Sequence, residues 1–216
     1  MEKNKKLLLV GLIVLLVLIA DQYIKIWIKT SFSPYAPPEG FLGDWLVLNY
    51  TENQGMAFGT TLGGGIWGKL ALSIFRVIAI GAIIYYIFQQ LKQGVKTEFL
   101  VALSFVLAGA AGNLIDSALY DFIFEFDPCI SFNQLDGSGN FMTCTSYGLE
   151  HEVEARNTGF LLGNVVDMFQ FNVLWPESTP WVGGQQVFPA IWNLADGAIT
   201  VGILMIVVRQ KKYFKK

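Results

Sequence analysis

The stretch from Ala190 to Val208 is almost continuously apolar, yet it carries Asn193 and Asp196 near its start. A transmembrane helix needs roughly 20 mostly apolar residues, and this stretch has about that length. A carboxylate near lipid is costly unless it is paired, protonated or facing a wet cavity. Asp196 is therefore either a structural residue that hydrogen-bonds between helices or part of a functional site, and the residue by itself leaves both interpretations open.

Three further apolar stretches accompany it, at about residues 6–27, 68–88 and 99–119. The chain is 53% hydrophobic and 15% charged, and its mean hydropathy of +0.47 is too high for an ordinary soluble domain. The first stretch lacks the cleavage pattern of a secretory signal peptide, so we expect it to be retained. The sequence predicts a membrane α-helical fold: a single integral membrane domain over 1–216 with four transmembrane helices, the last at about 190–208.

The basic residues predict how these helices are oriented. Lysines and arginines occur before the first stretch, between the second and third, and after the fourth, whereas the two longer connections contain few of them. By the positive-inside rule both termini are cytoplasmic, and the segments at about 30–65 and 120–188 face outward. The apolar stretches then bring several carboxylates near the same outer face, namely Asp21, Asp116, Asp167 and Asp196.

The two outer segments contain β-favouring runs. The run from Trp45 to Tyr50 predicts a strand, followed by a turn near Asn53–Gly55, although a plain loop is an alternative. In the second segment DGSGN, at 136–140, is a turn signal that predicts a hairpin or a small extramembrane subdomain. Cys129 and Cys144 lie in the same segment, and they can pair if it faces an oxidising compartment.

Charged residues inside the apolar stretches need partners. Asp21 and Lys25 are four residues apart on one helical face, so we expect them to pair while Lys25 extends toward the membrane interface. Arg76, in the second stretch, needs a carboxylate or carbonyl oxygens. The run of small residues at Gly109–Gly112 predicts the close approach of another helix.

One spacing, an asparagine three residues before an aspartate, occurs three times: Asn113 with Asp116, Asn164 with Asp167, and Asn193 with Asp196. Chance recurrence is one explanation. The alternative is a site in which two close carboxyl groups share a proton, so that one acts as a base toward water and the other as an acid.

Other hydrolase chemistries fit the sequence poorly. A serine or cysteine nucleophile usually needs a histidine or lysine base, and the only histidine, His151, lies in the outer segment. The zinc motif HExxH fails because Ala155 stands at its last position, and Cys129, Cys144 and His151 match no common zinc spacing. We therefore expect aspartyl-protease chemistry with no metal and no cofactor.

The ordered motifs DQYIK, NQGMAFG, GAAGNLID, VVDM and WNLADGAI resemble those of the lipoprotein signal peptidase (signal peptidase II) family over nearly the whole chain. The resemblance implies a four-helix aspartyl endopeptidase of the bacterial inner membrane, with a small periplasmic β-rich cradle around Asn53 and an extended periplasmic loop. Its active site would lie near the periplasmic face. Its substrates would be diacylglyceryl-modified prolipoproteins, cut before the lipidated cysteine. We expect it to contact membrane lipid, to bind no nucleic acid and to act as a monomer.

The resemblance also implies roles for particular residues. Asp167 and Asp196 would form the catalytic dyad. The substrate-binding and supporting residues would be Asp21, Lys25, Asn53, Gly55, Asn113, Asp116 and Asn193. The chain departs from the family pattern at four positions, where Met56 replaces alanine, Ser117 replaces arginine, Trp192 replaces phenylalanine and Gly197 replaces serine. None of these changes removes a carboxylate.

Two other classes of function remain as alternatives. In a small proton-coupled transporter, Asp21, Asp116 and Asp196 would line a polar path. Their expected clustering at one face disfavours that path, because a conducting path must be polar on both sides of the membrane. A noncatalytic membrane scaffold, whose long outer segment binds a partner, is the third interpretation.

Overall fold

The computed structural model describes residues 3–54, 66–146 and 148–213. Within these ranges the long helices are α1 (Lys3–Ser31), α2 (Ile66–Lys92), α3 (Thr97–Ile123) and α4 (Leu194–Tyr213). The strands are β1 (Glu39–Leu42), β2 (Leu46–Asn53), β3 (Asn140–Ser146), β4 (Leu149–Ala155), β5 (Val165–Phe171) and β6 (Ile191–Trp192). Among the described residues, α1, α2 and α3 are long and apolar enough to cross a membrane. The protein is therefore of the membrane helical type with added sheets.

The helix α4 begins four residues later than the apolar stretch that predicted it. Residues 191–192 form β6, and Asn193 caps the helix. The Asn193 Oδ1 accepts the N–H of Asp196 at 2.9 Å, and the Asp196 Oδ2 accepts the N–H of Asn193 at 3.4 Å. This reciprocal pair is a capping box, which fixes the start of the helix. The predicted start at Ala190 is therefore wrong, and a fourth transmembrane helix stays a prediction.

The helix α3 is central, because α1, α2 and α4 all pack against it. Glycines make the α3–α4 contact close. A Cβ atom on Gly109 would lie 2.2 Å from the carbonyl oxygen of Ala195, and one on Gly202 would lie 2.6 Å from that of Ala102. Such short distances leave no room for a larger residue, and the predicted close approach at the small-residue run is confirmed.

The larger sheet is antiparallel with the order β1-β2-β5-β6. One face of the sheet packs on the C-terminal ends of α1 and α3 through an apolar cluster that includes Ile28, Tyr120, Val166 and Met168. The pairing of β2 with β5 places Thr51 opposite Asp167. The predicted strand from Trp45 to Tyr50 is confirmed in substance, whereas the turn predicted after it extends to Gly55, outside the described residues.

The segment between α3 and β5, residues 124–164, is here named the insert. It contains the antiparallel hairpin β3–β4, which confirms the predicted hairpin. DGSGN does not connect the two strands, however, but precedes β3. Its glycines have φ values of 80° and 72°, and the Glu154 carboxylate accepts their N–H groups at 2.8 and 2.6 Å. Cys129 and Cys144 form a disulfide with a Cα–Cα distance of 5.2 Å.

Candidate active site

Asp167 and Asp196 line the same cavity, which has a volume of about 840 Å³. Asp167 lies in β5 with only 2% of its surface exposed, whereas Asp196 lies in the first turn of α4. The strand β5 and the helix α4, between which the chain forms the short strand β6, thus supply the two carboxyl groups. The cavity walls are otherwise mainly apolar, with Phe171, Phe188 and Val201 among the lining residues.

Asparagine side chains hold both carboxyl groups. The Asn193 Nδ2 donates to Asp167 Oδ1 at 2.6 Å, and the Asn53 Nδ2 donates to Asp167 Oδ2. The Asn113 Nδ2 donates to Asp196 Oδ1 at 2.8 Å. Asn193 therefore has two functions, because it caps α4 and also orients the carboxyl group of the neighbouring strand.

A buried lysine fixes the orientation of Asn113. The Lys25 Nζ donates to Asn113 Oδ1 at 2.9 Å, and it lies 3.0 Å from Asp21 Oδ2 and 2.8 Å from Asp116 Oδ2. Since Lys25 occupies the amide oxygen, the amide nitrogen of Asn113 is directed to Asp196. The predicted pair with Asp21 is confirmed. The expectation that Lys25 extends to the interface is wrong, because two carboxylates hold it in an environment with 0% exposure.

The carboxylates around Lys25 also bind the backbone beside the dyad. The Asp21 Oδ1 accepts the N–H of Ala195 at 2.9 Å, and the Asp116 Oδ2 accepts the N–H of Val166 at 3.3 Å. Each acceptor thus holds the residue immediately before one aspartate of the dyad. Gln22, which sequence reasoning missed, donates to Asp116 Oδ1 at 2.9 Å. Its position beside Asp21 in DQYIK was the available signal.

The three Asn-x-x-Asp pairs are not one repeated structural unit. The pair at Asn193 is a helix cap, and the pair at Asn113 lies within α3 facing Lys25. Asn164 instead donates to the carbonyl oxygen of Phe132, 3.2 Å away in the insert. The recurrence of the spacing is therefore better explained by chance, although Asp167 itself joins the site.

Trp192 and Gly197, both departures from the family pattern, are neighbours in the cavity wall. A Cβ atom on Gly197 would lie 3.3 Å from Cζ3 of the Trp192 indole, which is tighter than ordinary contact. The indole also packs on Phe169 and Phe171, with centroid distances of 5.1 and 5.5 Å. The Trp192 indole thus leaves little room for a side chain at position 197, and we predict that the two departures compensate one another.

Arg76 and Ser117 account for a third departure. The Arg76 Nη1, which α2 brings to the cavity, donates to Ser117 Oγ at 3.4 Å. Since Ser117 stands where the family commonly has an arginine, a cation from a neighbouring helix is present beside that position. The remaining departure, Met56, and the predicted site residue Gly55 lie outside the described residues.

The environment of Asp167 favours its neutral form. Burial raises the pKa of Asp167 well above its ordinary value of 3.8, and the nearby charge of Asp196 raises it further. Lys25 and the hydrogen bonds from Asn193 and Asn53 oppose this shift without cancelling it. Two carboxyl groups close enough to share one proton are the arrangement that acid–base hydrolysis requires.

Helices long enough to cross a membrane and an apolar cavity with a carboxyl pair define a membrane protein of the aspartic peptidase class. The model of the signal peptidase (SPase) II family matches residues 13–211. A lipoprotein signal peptidase of Porphyromonas gingivalis is 32% identical over 205 residues, which cover 92% of this chain and 81% of that protein. A lipoprotein signal peptidase of Amoebophilus asiaticus is 33% identical over 207 residues, which cover 92% and 76%.

A solved structure of a bacterial membrane enzyme has the same fold. It superposes with a TM-score of 0.59 at 22% identity and covers 96% of this chain and 91% of the solved chain. The chain belongs to the signal peptidase II family. It is therefore an aspartic-type peptidase with lipoprotein signal peptidase function, and the transporter and scaffold interpretations are not favoured.

Proposed function

We propose that Asp167 and Asp196 form the catalytic dyad that removes signal peptides from diacylglyceryl-modified prolipoproteins, with cleavage before the lipidated cysteine. One observation carries the proposal: Asn193 and Asn113 hold the two carboxyl groups toward one cavity, at 2.6 and 2.8 Å. The supporting residues are Asp21, Lys25, Asn53, Asn113, Asp116 and Asn193, and Gly55 stays a prediction.

The environments of the two aspartates support distinct roles. Because burial and the charge of Asp196 raise the pKa of Asp167 and so favour its protonated form, we assign Asp167 as the donor of a proton to the scissile carbonyl oxygen. Asp196 takes a proton from the attacking water, which adds to the carbonyl carbon. The tetrahedral intermediate then collapses as Asp196 returns that proton to the leaving amine and the new carboxyl group forms, while Asp167 regains its own. The reaction needs only two carboxyl groups and one water molecule.

We further propose that α4 is the fourth transmembrane helix and that both termini are cytoplasmic. Its 20 residues would span about 30 Å. Its exposed side chains are largely apolar, and Arg209, Lys211 and Lys212 follow at the end distant from Asp196. The positive-inside rule places those basic residues in the cytoplasm, so the dyad lies near the periplasmic face.

The sheet β1-β2-β5-β6 would then form the periplasmic cradle over the site. It supplies Asn53, Asp167 and Trp192 to the cavity wall. A diacylglyceryl anchor inserted in the membrane would hold the scissile bond at a fixed depth, where a dyad at the membrane boundary reaches it.

The test uses the purified full chain and a diacylglyceryl-modified precursor, assayed beside the unlipidated form. We expect Asp167→Asn and Asp196→Asn each to lower kcat/KM by at least about 1,000-fold, since each removes one of two groups that act as a unit. Asp136→Asn, an exposed aspartate of the insert, is the matched control. Normal cleavage by either dyad variant would contradict the dyad, and equal cleavage of both precursors would contradict the lipid specificity.

A further inference from the structure

Arg76 is the one cation among the described residues that line the cavity. It comes from the middle of α2 and is half-buried, so its charge acts in a largely apolar space. A guanidinium remains protonated under all physiological conditions, and it carries five N–H donors. A permanent positive charge is therefore built into the wall of the cavity that holds both aspartates.

The other cation near the dyad, Lys25, is already neutralised. Two carboxylates, Asp21 and Asp116, lie within 3.0 Å of its Nζ, and Asn113 accepts its third hydrogen bond. With two acids against one base, this cluster carries a net negative charge when both acids are ionised. Lys25 is therefore suited to orienting Asn113 and is poorly suited to stabilising further negative charge on the dyad.

Arg76 has a different electrostatic environment. Arg76 lines the same cavity as Asp196 and Asp167, so both carboxyl groups lie in the field of its guanidinium. The neutral hydroxyl of Ser117 accepts one of its hydrogen bonds at 3.4 Å. The positive charge of Arg76 therefore lies in the wall of the cavity in which Asp196 must be ionised to act as a base.

The other charged groups around Asp196 do not stabilise its negative charge. Asp116 has the same sign of charge as an ionised Asp196, and Glu52 from β2 forms an ion pair with Lys29. The charged groups around Asp196, taken over all the surrounding elements that the structure describes, are Asp21 and Lys25 of α1, Glu52 of β2, Arg76 of α2, Asp116 of α3 and Asp167 of β5.

We propose that Arg76 is a positioning residue that keeps the single negative charge of the dyad on Asp196 and the shared proton on Asp167. The inference rests on the proposed dyad and adds the reason why its two members have different roles. Without Arg76 the negative charge of the dyad would be poorly stabilised in this largely apolar cavity.

The experiment compares Arg76→Gln, Arg76→Lys and Ser117→Ala in the purified full chain with a diacylglyceryl-modified precursor. The measured quantity is kcat/KM as a function of pH. We expect Arg76→Gln to lower kcat/KM about 10- to 100-fold near neutral pH and to move the acid limb of the profile upward by about one pH unit. Arg76→Lys retains the charge, so its acid limb should stay at the wild-type position.

Ser117→Ala separates the charge of Arg76 from its hydrogen bond to α3, because it removes the hydroxyl acceptor while leaving the cation. We expect its activity to stay within about threefold of wild type. An unchanged acid limb in Arg76→Gln, or a loss in Ser117→Ala equal to that in Arg76→Gln, would overturn the inference. If Arg76→Gln does not fold, Arg76→Ala assayed with and without guanidinium ion decides the question. Return of the acid limb with guanidinium supports the proposal, and no return rejects it.

These outcomes differ from a failure of the dyad itself. If Asp196→Asn is inactive and Arg76→Gln keeps the wild-type acid limb, the dyad stands and only the role of Arg76 is rejected. If Asp196→Asn cleaves normally, the proposed function fails whatever the behaviour of Arg76.

Discussion

Two buried cations bind aspartates little more than one turn apart on α3, and they serve different parts of the molecule. Lys25 binds Asp116 in what is here named the site cluster, with Asp21 and Asn113. Arg156 binds Asp121 through two hydrogen bonds of 2.8 and 3.0 Å. Both ion pairs are almost fully buried, with at most 6% of any side chain exposed.

The partners of the two cations distinguish them. Lys25 reaches Asp196 through the amide of Asn113, whereas Arg156 donates to Asn133 at 3.0 Å and to backbone carbonyl oxygens of the insert. A buried ion pair is thus by itself a weak indication of a functional site. The indication becomes specific only when the pair orients a donor toward another acid.

The largest expected effect follows Lys25→Met. This change leaves Asp21 and Asp116 buried without their cation, and we expect a loss of about 3–5 kcal/mol in the free energy of unfolding. Asn113 also loses its orientation, so kcat/KM should fall by about 100-fold or more. Both quantities are measured in detergent with a lipidated precursor, and cleavage close to the wild-type rate would contradict the link between the site cluster and the dyad.

The pH dependence of stability should differ between the site and the insert, because the pKa values of their carboxyl groups shift in opposite directions. Burial raises the pKa of Asp167 above 3.8, whereas the N–H groups of Gly139 and Gly137 lower the pKa of Glu154 below 4.5. The contribution of Asp167 to stability is therefore present below pH 3.8 and lost as pH rises through the raised value. The contribution of Glu154 is present above pH 4.5 and lost as pH falls through the lowered value.

If catalysis requires protonated Asp167, kcat/KM should fall on the alkaline side of the pH profile. The expected slope of this alkaline limb is about tenfold per pH unit. Measurement of kcat/KM against pH tests this expectation. Glu154→Gln is the matched control and should leave the alkaline limb unchanged. A limb that moves with Glu154→Gln would show that the two regions are coupled.

A smaller effect is expected in the cavity wall. Gly197→Ser places a side chain against the Trp192 indole, where even a Cβ atom lies at 3.3 Å, and should lower kcat/KM about tenfold. Combination with Trp192→Phe should restore activity to within about threefold, with a coupling energy of about 1 kcal/mol between the two positions. Simple addition of the two single effects in the double-mutant cycle would refute the compensation.

Arg156→Met should affect stability without much effect on cleavage. It breaks a buried ion pair, as Lys25→Met does, so we expect a loss of about 3–5 kcal/mol in the free energy of unfolding. Because its partners are Asp121 near the end of α3 and groups of the insert, none of which lines the cavity, kcat/KM below the unfolding temperature should stay within about twofold of wild type. An activity loss as large as that of Lys25→Met would remove the distinction between the two clusters.

The smallest effect on cleavage is expected for the double variant Cys129→Ser with Cys144→Ser. The disulfide spans a sequence separation of 15 residues, which corresponds to at most about 3 kcal/mol of stabilisation, confined here to the insert. Limited proteolysis should cut the insert faster, with kcat/KM within about twofold of wild type. Protease resistance equal to that of wild type would show that the hairpin needs no crosslink.

The sequence predicted the parts of the fold that depend on local patterns. Apolar length predicted four transmembrane helices, and three of the described helices are long and apolar enough to cross a membrane. The β-favouring residues predicted β2 and the hairpin of the insert. The predicted start of α4 was wrong because hydrophobicity alone does not show that Asn193 and Asp196 form a capping box. The predicted position of Lys25 at the interface was wrong because Asp116, which binds its ammonium group, lies on another helix.

The sequence by itself determined which chemical groups are available: a basic residue in an apolar helix, a set of asparagines, and carboxylates near the ends of apolar stretches. The tertiary structure decided which of them meet. Asn164 has the same spacing to an aspartate as Asn113, yet it binds the insert while Asn113 binds Asp196. The physical reason is packing, because Gly109 and Gly112 bring α4 and α1 close enough to α3 for Ala195 and Asp21 to fit. Only that approach places α1, α3, β5 and α4 around one cavity.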